Sequence, residues 1–313
     1  MIDAMKQRVG LTLGPRKQRG FYATLDEGDA TRRAPPPTID EVGILMVQAQ
    51  DRTVSAWRKQ VNANVKVAGS GPPVVFLHGA YGLQWDPFLD RLAESHTVYA
   101  PEHPGTTPGA PDEIKPIDSI WDLVLYYYEL FDELGLNSPA VIGHSFGGMV
   151  ASELAATNPE RVSKLVLVDP IGLWRDDHPV RNWMATPFGE LPKYLFANQS
   201  HPMAQMIAAA ARISEMSEAQ LDIQIQIMWS LACTGKFVWP IPDRGLHKRL
   251  HRISARTLVI WGKQDGIVSP VYADEFASRI SDTRVELIDD AGHLPQLEQL
   301  AAVSKAVSNF LGG

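Results

Sequence analysis

Ser145 stands between two glycines in Gly143-His144-Ser145-Phe146-Gly147, behind the apolar run Ala140-Val141-Ile142 and ahead of a helical pattern. A serine at the apex of a strand–turn–helix has its hydroxyl pushed clear of the sheet, where a base and a substrate can reach it. The glycines leave room for that strained turn. The chemistry this suggests is nucleophilic attack, which needs a base for the serine proton and an acid to orient and charge-balance the base. Such a pentapeptide arises by chance in roughly one chain in ten of this length, so its surroundings decide. Nine histidines occur. Only His293 sits on a glycine-containing turn, Ala291-Gly292-His293, directly after the final strand-like run (Val285-Glu286-Leu287-Ile288) and ahead of a closing helical pattern. Another apolar run, Thr257-Leu258-Val259-Ile260-Trp261-Gly262, delivers Asp265 onto the next loop. The order Ser145, Asp265, His293 is the order this turn type carries.

A fourth piece lies upstream. The run Pro73-Val74-Val75-Phe76-Leu77 ends in His78-Gly79-Ala80-Tyr81-Gly82, a loop able to present the Ala80 N–H toward the serine. The Phe146 N–H is its expected partner. Two such donors stabilise the oxyanion of a tetrahedral intermediate by ~3–4 kcal/mol each. Tyr81 and His144, beside these groups, are candidates for contact with the substrate. Asp169, followed by Pro170, is the alternative acid, its other role being a turn. Asp289 and Asp290 read as the end of a strand. His247 and His251 have the i, i+4 spacing of metal ligands, but Lys248, Arg249 and Arg252 crowd them, so a solvated basic helix is expected instead. No dinucleotide fingerprint or phosphate cradle is present, and neither cofactor nor metal is implied.

Together these segments resemble an α/β-hydrolase-fold enzyme of the lid-bearing, small-molecule type. The residues that carry the resemblance are His78-Gly79, Gly143 to Gly148, Val168-Asp169-Pro170, Trp261 to Asp265 and Ala291-Gly292-His293, and it runs from about Val65 to Leu311. One departure follows Thr97-Val98-Tyr99-Ala100. Relatives carry an acidic residue, Pro-Gly, and a further Gly and Ser; here Pro101-Glu102-His103-Pro104-Gly105-Thr106-Thr107-Pro108-Gly109 implies a longer or differently bent loop.

The elements that must hold these groups are also readable. Ile120, Leu123, Val124, Tyr127, Leu130, Phe131 and Leu134 share a helix face, with Ser119 or Asp118 to cap its start and Gly135 to end it. Gly147, Gly148 and Ala151 give the helix after Ser145 a small face for close packing. Leu300, Val303, Val307 and Phe310 mark the closing helix. Strands alternating with such helices predict an α/β, doubly wound, mainly parallel sheet with helices on both faces. The alternation fails between Gly172 and about His251, where the resemblance implies an inserted helical lid. There Leu221, Ile225, Met228, Trp229 and Ala232 share one helix face and Ile223, Ile227 and Leu231 another, predicting a helix buried on both sides. Trp174, Met206 and Trp229 are the expected pocket-lining residues of this stretch. The organisation expected is an N-terminal arm over 1–40, with a basic patch and Pro35-Pro36-Pro37, a core over 41–171 and 252–313, and a lid over 172–251.

Lys and Arg number 29 against 36 acidic residues, a net charge of −7, which argues against nucleic acid or an anionic membrane as partner. No run approaches the ~20 apolar residues of a membrane span, and no secretory signal is visible. The lone Cys233 allows no internal disulfide, which fits a reducing, cytoplasmic location. The expected function is hydrolysis of a small apolar or aromatic carboxylic ester by a serine hydrolase through an acyl-enzyme. C–C bond (meta-cleavage product) hydrolysis, amide hydrolysis and acyl transfer remain open on the same residues. A non-catalytic ligand receptor is the alternative of another class. The partner expected is a small acyl compound.

Overall fold

The computed structural model describes residues 38–39, 45–46, 48–209, 217–241 and 243–313. Apart from two strand residues, the arm expected over 1–40 lies outside them. Strands β1 (Thr38–Ile39) and β2 (Leu45–Met46) form a small antiparallel pair.

The main sheet has eight strands. β3 (Gln50–Ala56) and β4 (Val61–Ala68) form an antiparallel hairpin. Trp57, Arg58 and Lys59, all with positive φ, turn the chain between them. β4 then pairs antiparallel with β6 (Thr97–Pro101). From there every neighbour is parallel: β6, β5 (Pro73–Leu77), β7 (Ala140–His144), β8 (Lys164–Val168), β9 (Arg256–Gly262) and β10 (Thr283–Ile288). The apolar runs that mark β5 to β10 are dense because both faces of a parallel sheet are covered.

Alternation along each strand sends side chains to opposite faces. Val75, Leu77, Val141, Leu165, Leu167, Val259 and Trp261 join one buried cluster, together with residues of helices α2 (Ile120–Leu134), α3 (Phe146–Thr157) and α7 (Val271–Ala277). Val74, Phe76, Ile142, Val166, Val168, Leu258 and Ile260 join the other, with α1 (Pro87–Ala93) and α9 (Leu300–Gly312). The architecture is therefore a doubly wound α/β sheet.

Local chemistry sets the helix ends. Ser119 and Asp122 form a reciprocal capping box at the start of α2, and Gly135, at φ 74°, ends it in the left-handed conformation. Such a cap contributes ~1 kcal/mol.

Between β8 and β9 the chain leaves the sheet for α4 (Pro192–Leu195), α5 (Pro202–Ala209) and the long α6 (Glu218–Val238). The C-terminal half of α6 buries Leu231, Cys233, Phe237 and Val238. Burial on both sides fails in its N-terminal half, where Leu221, Ile223, Ile225, Met228 and Trp229 are 37% to 57% exposed. Periodicity reports which residues are apolar, not whether anything packs opposite them. The solvated basic helix expected around His247 is likewise replaced by two short 3₁₀ turns, Leu246–Lys248 and Leu250–Arg252. His247 hydrogen-bonds Asp243 there. Arg249 forks onto the fully buried carboxylate of Glu153 on α3, at 2.8 and 2.6 Å. Among the described residues no helix is long and apolar enough to cross a membrane.

Candidate active site

Each member of the cluster stands just beyond the carboxyl end of a strand. Ser145 follows β7 directly and caps α3. Its φ of 54° and ψ of −113° are strained for a residue with a side chain, and the surrounding packing holds them. The Ser145 N–H donates to the Val168 carbonyl at 2.9 Å, and its own carbonyl accepts from Met149 and Ile171. Two glycines make the turn possible. A Cβ on Gly147 would lie 2.0 Å from the Leu77 carbonyl oxygen, and one on Gly79 would lie 2.9 Å from His144 Nδ1 and 3.4 Å from the Ser145 Cβ.

His293 lies on the loop between β10 and α8 (Pro295–Glu298). Its N–H donates to the Leu195 carbonyl at 2.8 Å, and the next loop residue back, Gly292, donates to Glu298 Oε2 at 2.7 Å. Asp265 follows β9. Its Oδ1 accepts from the N–H groups of Ile267 and Val268 at 2.8 and 2.9 Å. Its Oδ2 accepts from His293 Nδ1–H at 2.7 Å. Because a carboxylate can only accept, Nδ1 carries the ring proton and Nε2 is left as an acceptor. The Ser145 hydroxyl donates to that nitrogen at 2.8 Å. All three residues are buried.

A second group of imidazoles surrounds this line. His144 Nε2–H donates to the His293 carbonyl at 2.8 Å. Burial, reinforced by the nearby His293, pushes His144 down to about 3, so its ring is neutral. His78 Nδ1–H donates to the Gly79 carbonyl at 2.7 Å, while its Nε2 accepts the His103 N–H at 3.0 Å. His103 Nε2–H in turn donates to the His78 carbonyl at 2.9 Å, and its Nδ1 accepts from the Tyr127 hydroxyl. Burial pushes His103 down to about 4 and His78 well below the usual histidine range. Two of these neutral rings, His78 and His103, thus brace the loop that carries Gly79 and Ala80, while His144 holds the His293 loop. The sequence reading missed His78, His103 and Tyr127 as a unit. Its one signal was the unusual segment after β6, which folds as successive turns through Gly105 and Gly109.

Ala80 is buried on the loop after β5, and Phe146 opens α3. Neither backbone N–H donates to an acceptor among the described residues, which leaves both free for a ligand oxygen. The developing dipole of α3 adds to them.

The residues expected to contact a substrate are scattered. His144 touches His293, as above. Tyr81 is half-buried, its hydroxyl without a hydrogen-bond partner among the described residues. The Trp229 indole N–H donates to the Gly105 carbonyl at 2.9 Å, so it ties α6 to the loop after β6. Trp174 lines a separate cavity of about 350 Å³ with Arg175, Asp243 and His247, and neither Ser145 nor His293 borders it. Met206 is turned to solvent on α5, 54% exposed. Other parts of the insertion do lie over the strand ends. Phe237 stacks on Phe146 at 6.1 Å, Gln226 donates to the Thr106 carbonyl at 2.6 Å, and Ser230 lies against Gly82. Cys233 faces Gly105, and burial pushes its thiol up to about 11.

One oxygen each of Asp169 and Asp265 and a ring nitrogen of His293 lie within 4.8 Å of one another. Asp265 and His293 already spend these atoms on each other and on Ser145, an arrangement suited to passing a proton rather than gripping a cation.

Comparison with known proteins agrees with this fold. The sequence profile described as alpha/beta hydrolase fold matches residues 72–300. The chain is 28% identical over 253 residues to the dihydrolipoyllysine-residue acetyltransferase component of the acetoin cleaving system of Cupriavidus necator. That match covers 78% of this chain and 65% of the relative, just under two thirds of its length. It is 27% identical to monoacylglycerol lipase ABHD6 of Mus musculus, covering 82% of this chain and 84% of that protein. Among solved structures, 2-hydroxy-6-oxo-6-phenylhexa-2,4-dienoate hydrolase from Rhodococcus sp. strain RHA1 superposes with a TM-score of 0.64 at 23% identity, covering 86% of this chain and 100% of that one.

Proposed function

The chain belongs to the alpha/beta hydrolase fold family, and on that premise we propose that this hydrolase is a serine esterase cleaving a small, apolar or aromatic carboxylic ester. The observation that carries this reading is the continuous line in which His293 accepts from Ser145 at 2.8 Å and donates to Asp265 at 2.7 Å.

The chemistry follows from that line. Ser145 Oγ attacks the acyl carbon as its proton passes to His293 Nε2, and the carbonyl π pair moves onto oxygen. The N–H groups of Ala80 and Phe146 hold that oxyanion. The oxyanion collapses, the C–O bond to the alcohol breaks, and the His293 imidazolium protonates the leaving oxygen. Water, deprotonated by the same nitrogen, then attacks the acyl-serine and releases the acid. Asp265 holds the imidazole in the required tautomer throughout. Residues 172–251 serve as a helical lid, supported by the contacts of α6 with Phe146, Gly82 and the loop after β6. No lysine, arginine or carboxylate bonds to Ser145 among the described residues, and the neighbouring His144 ring is held neutral by burial, which suits an uncharged acyl group. A cytoplasmic setting fits the lone, buried cysteine.

A second reading is C–C bond hydrolysis; the Rhodococcus structure is named as the hydrolase of a phenyl-substituted oxo-dienoate, a substrate of the kind that reading requires. Its dienoate substrate carries a carboxylate, and no arginine or lysine bonds to Ser145, His144, His293 or Asp265 among the described residues. A panel of p-nitrophenyl esters alongside a fluorophosphonate probe tests the proposal. Wild type should turn over neutral acyl esters and label at Ser145. Ser145→Ala should lose label and ~10⁶ in kcat. A Ser145→Ala protein with more than about one thousandth of wild-type activity would refute the covalent mechanism. Labelling without ester turnover would favour the C–C reading.

A further inference from the structure

Asp169 lies one residue beyond β8, wholly buried, at a φ of 45°. Its Oδ1 accepts the Gly262 N–H at 3.0 Å, while its equally buried Oδ2 meets no donor among the described residues. The side chain faces Asp265, within the 4.8 Å cluster that also includes His293. Glu298 is the third acidic group whose charge reaches it, and that carboxylate is already held by the N–H groups of Ala197, Asn198 and Gly292. Among the described residues neither Asp169 nor Asp265 has a lysine or arginine partner.

Two buried carboxyls this close, with no fixed cation between them, do not both ionise. The donors around them say which one does. Asp265 receives three N–H groups, two on Oδ1 and the imidazole on Oδ2. Asp169 receives one and keeps a bare oxygen. We propose that Asp169 is a protonated positioning residue whose carboxyl O–H donates to the Asp265 carboxylate, adding a fourth member behind Ser145, His293 and Asp265. Burial, then the charge of Asp265, holds Asp169 well above the ordinary carboxylate range. The extra donor pins the Asp265 side chain and spreads its charge. It thereby lowers the carboxylate's pull on the imidazole proton of His293. This role rests on the serine-hydrolase reading; the protonation of Asp169 does not.

The test uses the full chain with Asp169→Asn and Asp169→Ala. Asparagine keeps a donor for Asp265 and an acceptor for Gly262, and it tolerates positive φ; alanine keeps neither group. Alanine should lower kcat about 10- to 100-fold, by analogy with the loss when a group that orients a metal ligand from behind is removed. It should also move the acid limb of kcat/KM to higher pH, with asparagine restoring both. Thermal melting supplies a readout that needs no substrate. A carboxyl protonated when folded but ionised above ~3.9 when unfolded contributes fully below that pH and loses its contribution as pH rises. The Tm of Asp169→Asn minus that of wild type should therefore be smallest at pH 4 and grow toward pH 8. The ratio of folding constants should gain up to about tenfold per pH unit. A difference flat in pH would show Asp169 ionised and overturn the proposal. So would an asparagine variant as inactive as Asp265→Asn, which would put the proton on Asp265. If the melting trend held while Ser145→Ala stayed active, the function reading would fail and the protonation would stand.

Discussion

Replacing Asp265 by asparagine tests the proposed proton path at its most constrained point. The amide can sit in only one way without loss. Its carbonyl oxygen must take the place of Oδ1, because the N–H groups of Ile267 and Val268 point there at 2.8 and 2.9 Å. Turning the amide over would set its NH₂ against both donors and leave them unsatisfied, at ~1–3 kcal/mol each. The favoured orientation therefore aims the NH₂ at His293 Nδ1, where the carboxylate now accepts at 2.7 Å. That nitrogen must become an acceptor, so the ring proton moves to Nε2 and faces Ser145, where a lone pair is needed. The expected loss is ~10⁴ in kcat, about 5.5 kcal/mol of barrier. KM should change little, because no substrate contact is altered. The assay is turnover of the best p-nitrophenyl ester at one pH, on protein whose circular dichroism and melting match wild type. A loss smaller than about tenfold on folded protein would refute the assignment of Asp265 as the orienting acid.

Three further outcomes follow from the surroundings. Arg249→Met should destabilise by ~3–5 kcal/mol, because it strands the fully buried Glu153 carboxylate; denaturant midpoints at unchanged slope would measure it, and a change under 1 kcal/mol would show the pair contributes nothing. His144→Gln should flatten the acid side of the stability curve. The folded ring, pushed down to about 3, stays neutral while the unfolded one protonates below ~6.5, so wild type loses stability as pH falls. Between pH 7 and 5 the two proteins should diverge by ~2 kcal/mol, and parallel curves would refute a neutral buried ring. Gly147→Ala should cost more than ~3 kcal/mol, since the added Cβ meets the Leu77 carbonyl oxygen at 2.0 Å; a melting temperature within a few degrees of wild type would contradict that packing.

The strands that present the cluster were plain in the sequence because each is a short apolar run closed by Gly, Pro or Asp. The helix Ile120–Leu134 was plain for a similar reason, its period and both caps agreeing. The hairpin Gln50–Ala68 was not. Its outer strand is mostly exposed, and its turn is made by Trp57, Arg58 and Lys59 in positive φ without a glycine to mark it. The apolar face of Glu218–Val238 was visible, but its partner is a tertiary fact, and among the described residues its N-terminal half stays largely exposed. Ser145, Asp265 and His293 could be picked out because each follows a strand at a recognisable turn. The brace of His78, His103 and Tyr127 joins residues up to 49 positions apart, and Asp169 lies 96 from Asp265. Only the sheet order sets those groups side by side.

The lone thiol gives the molecule a built-in clock. Cys233 is sealed where Glu218–Val238 meets Gly105, its pKa pushed up to about 11. At pH 8 that leaves roughly one thiolate in a thousand, whereas a thiol freed into water, near 8.5, is about a quarter ionised. Alkylation is thus faster by a few hundredfold whenever the helix lifts. The labelling rate would therefore report any opening that parts that helix from Gly105, with no mutation needed. A non-hydrolysed ligand held beneath the helix should slow the clock; one that docks elsewhere should leave its rate untouched.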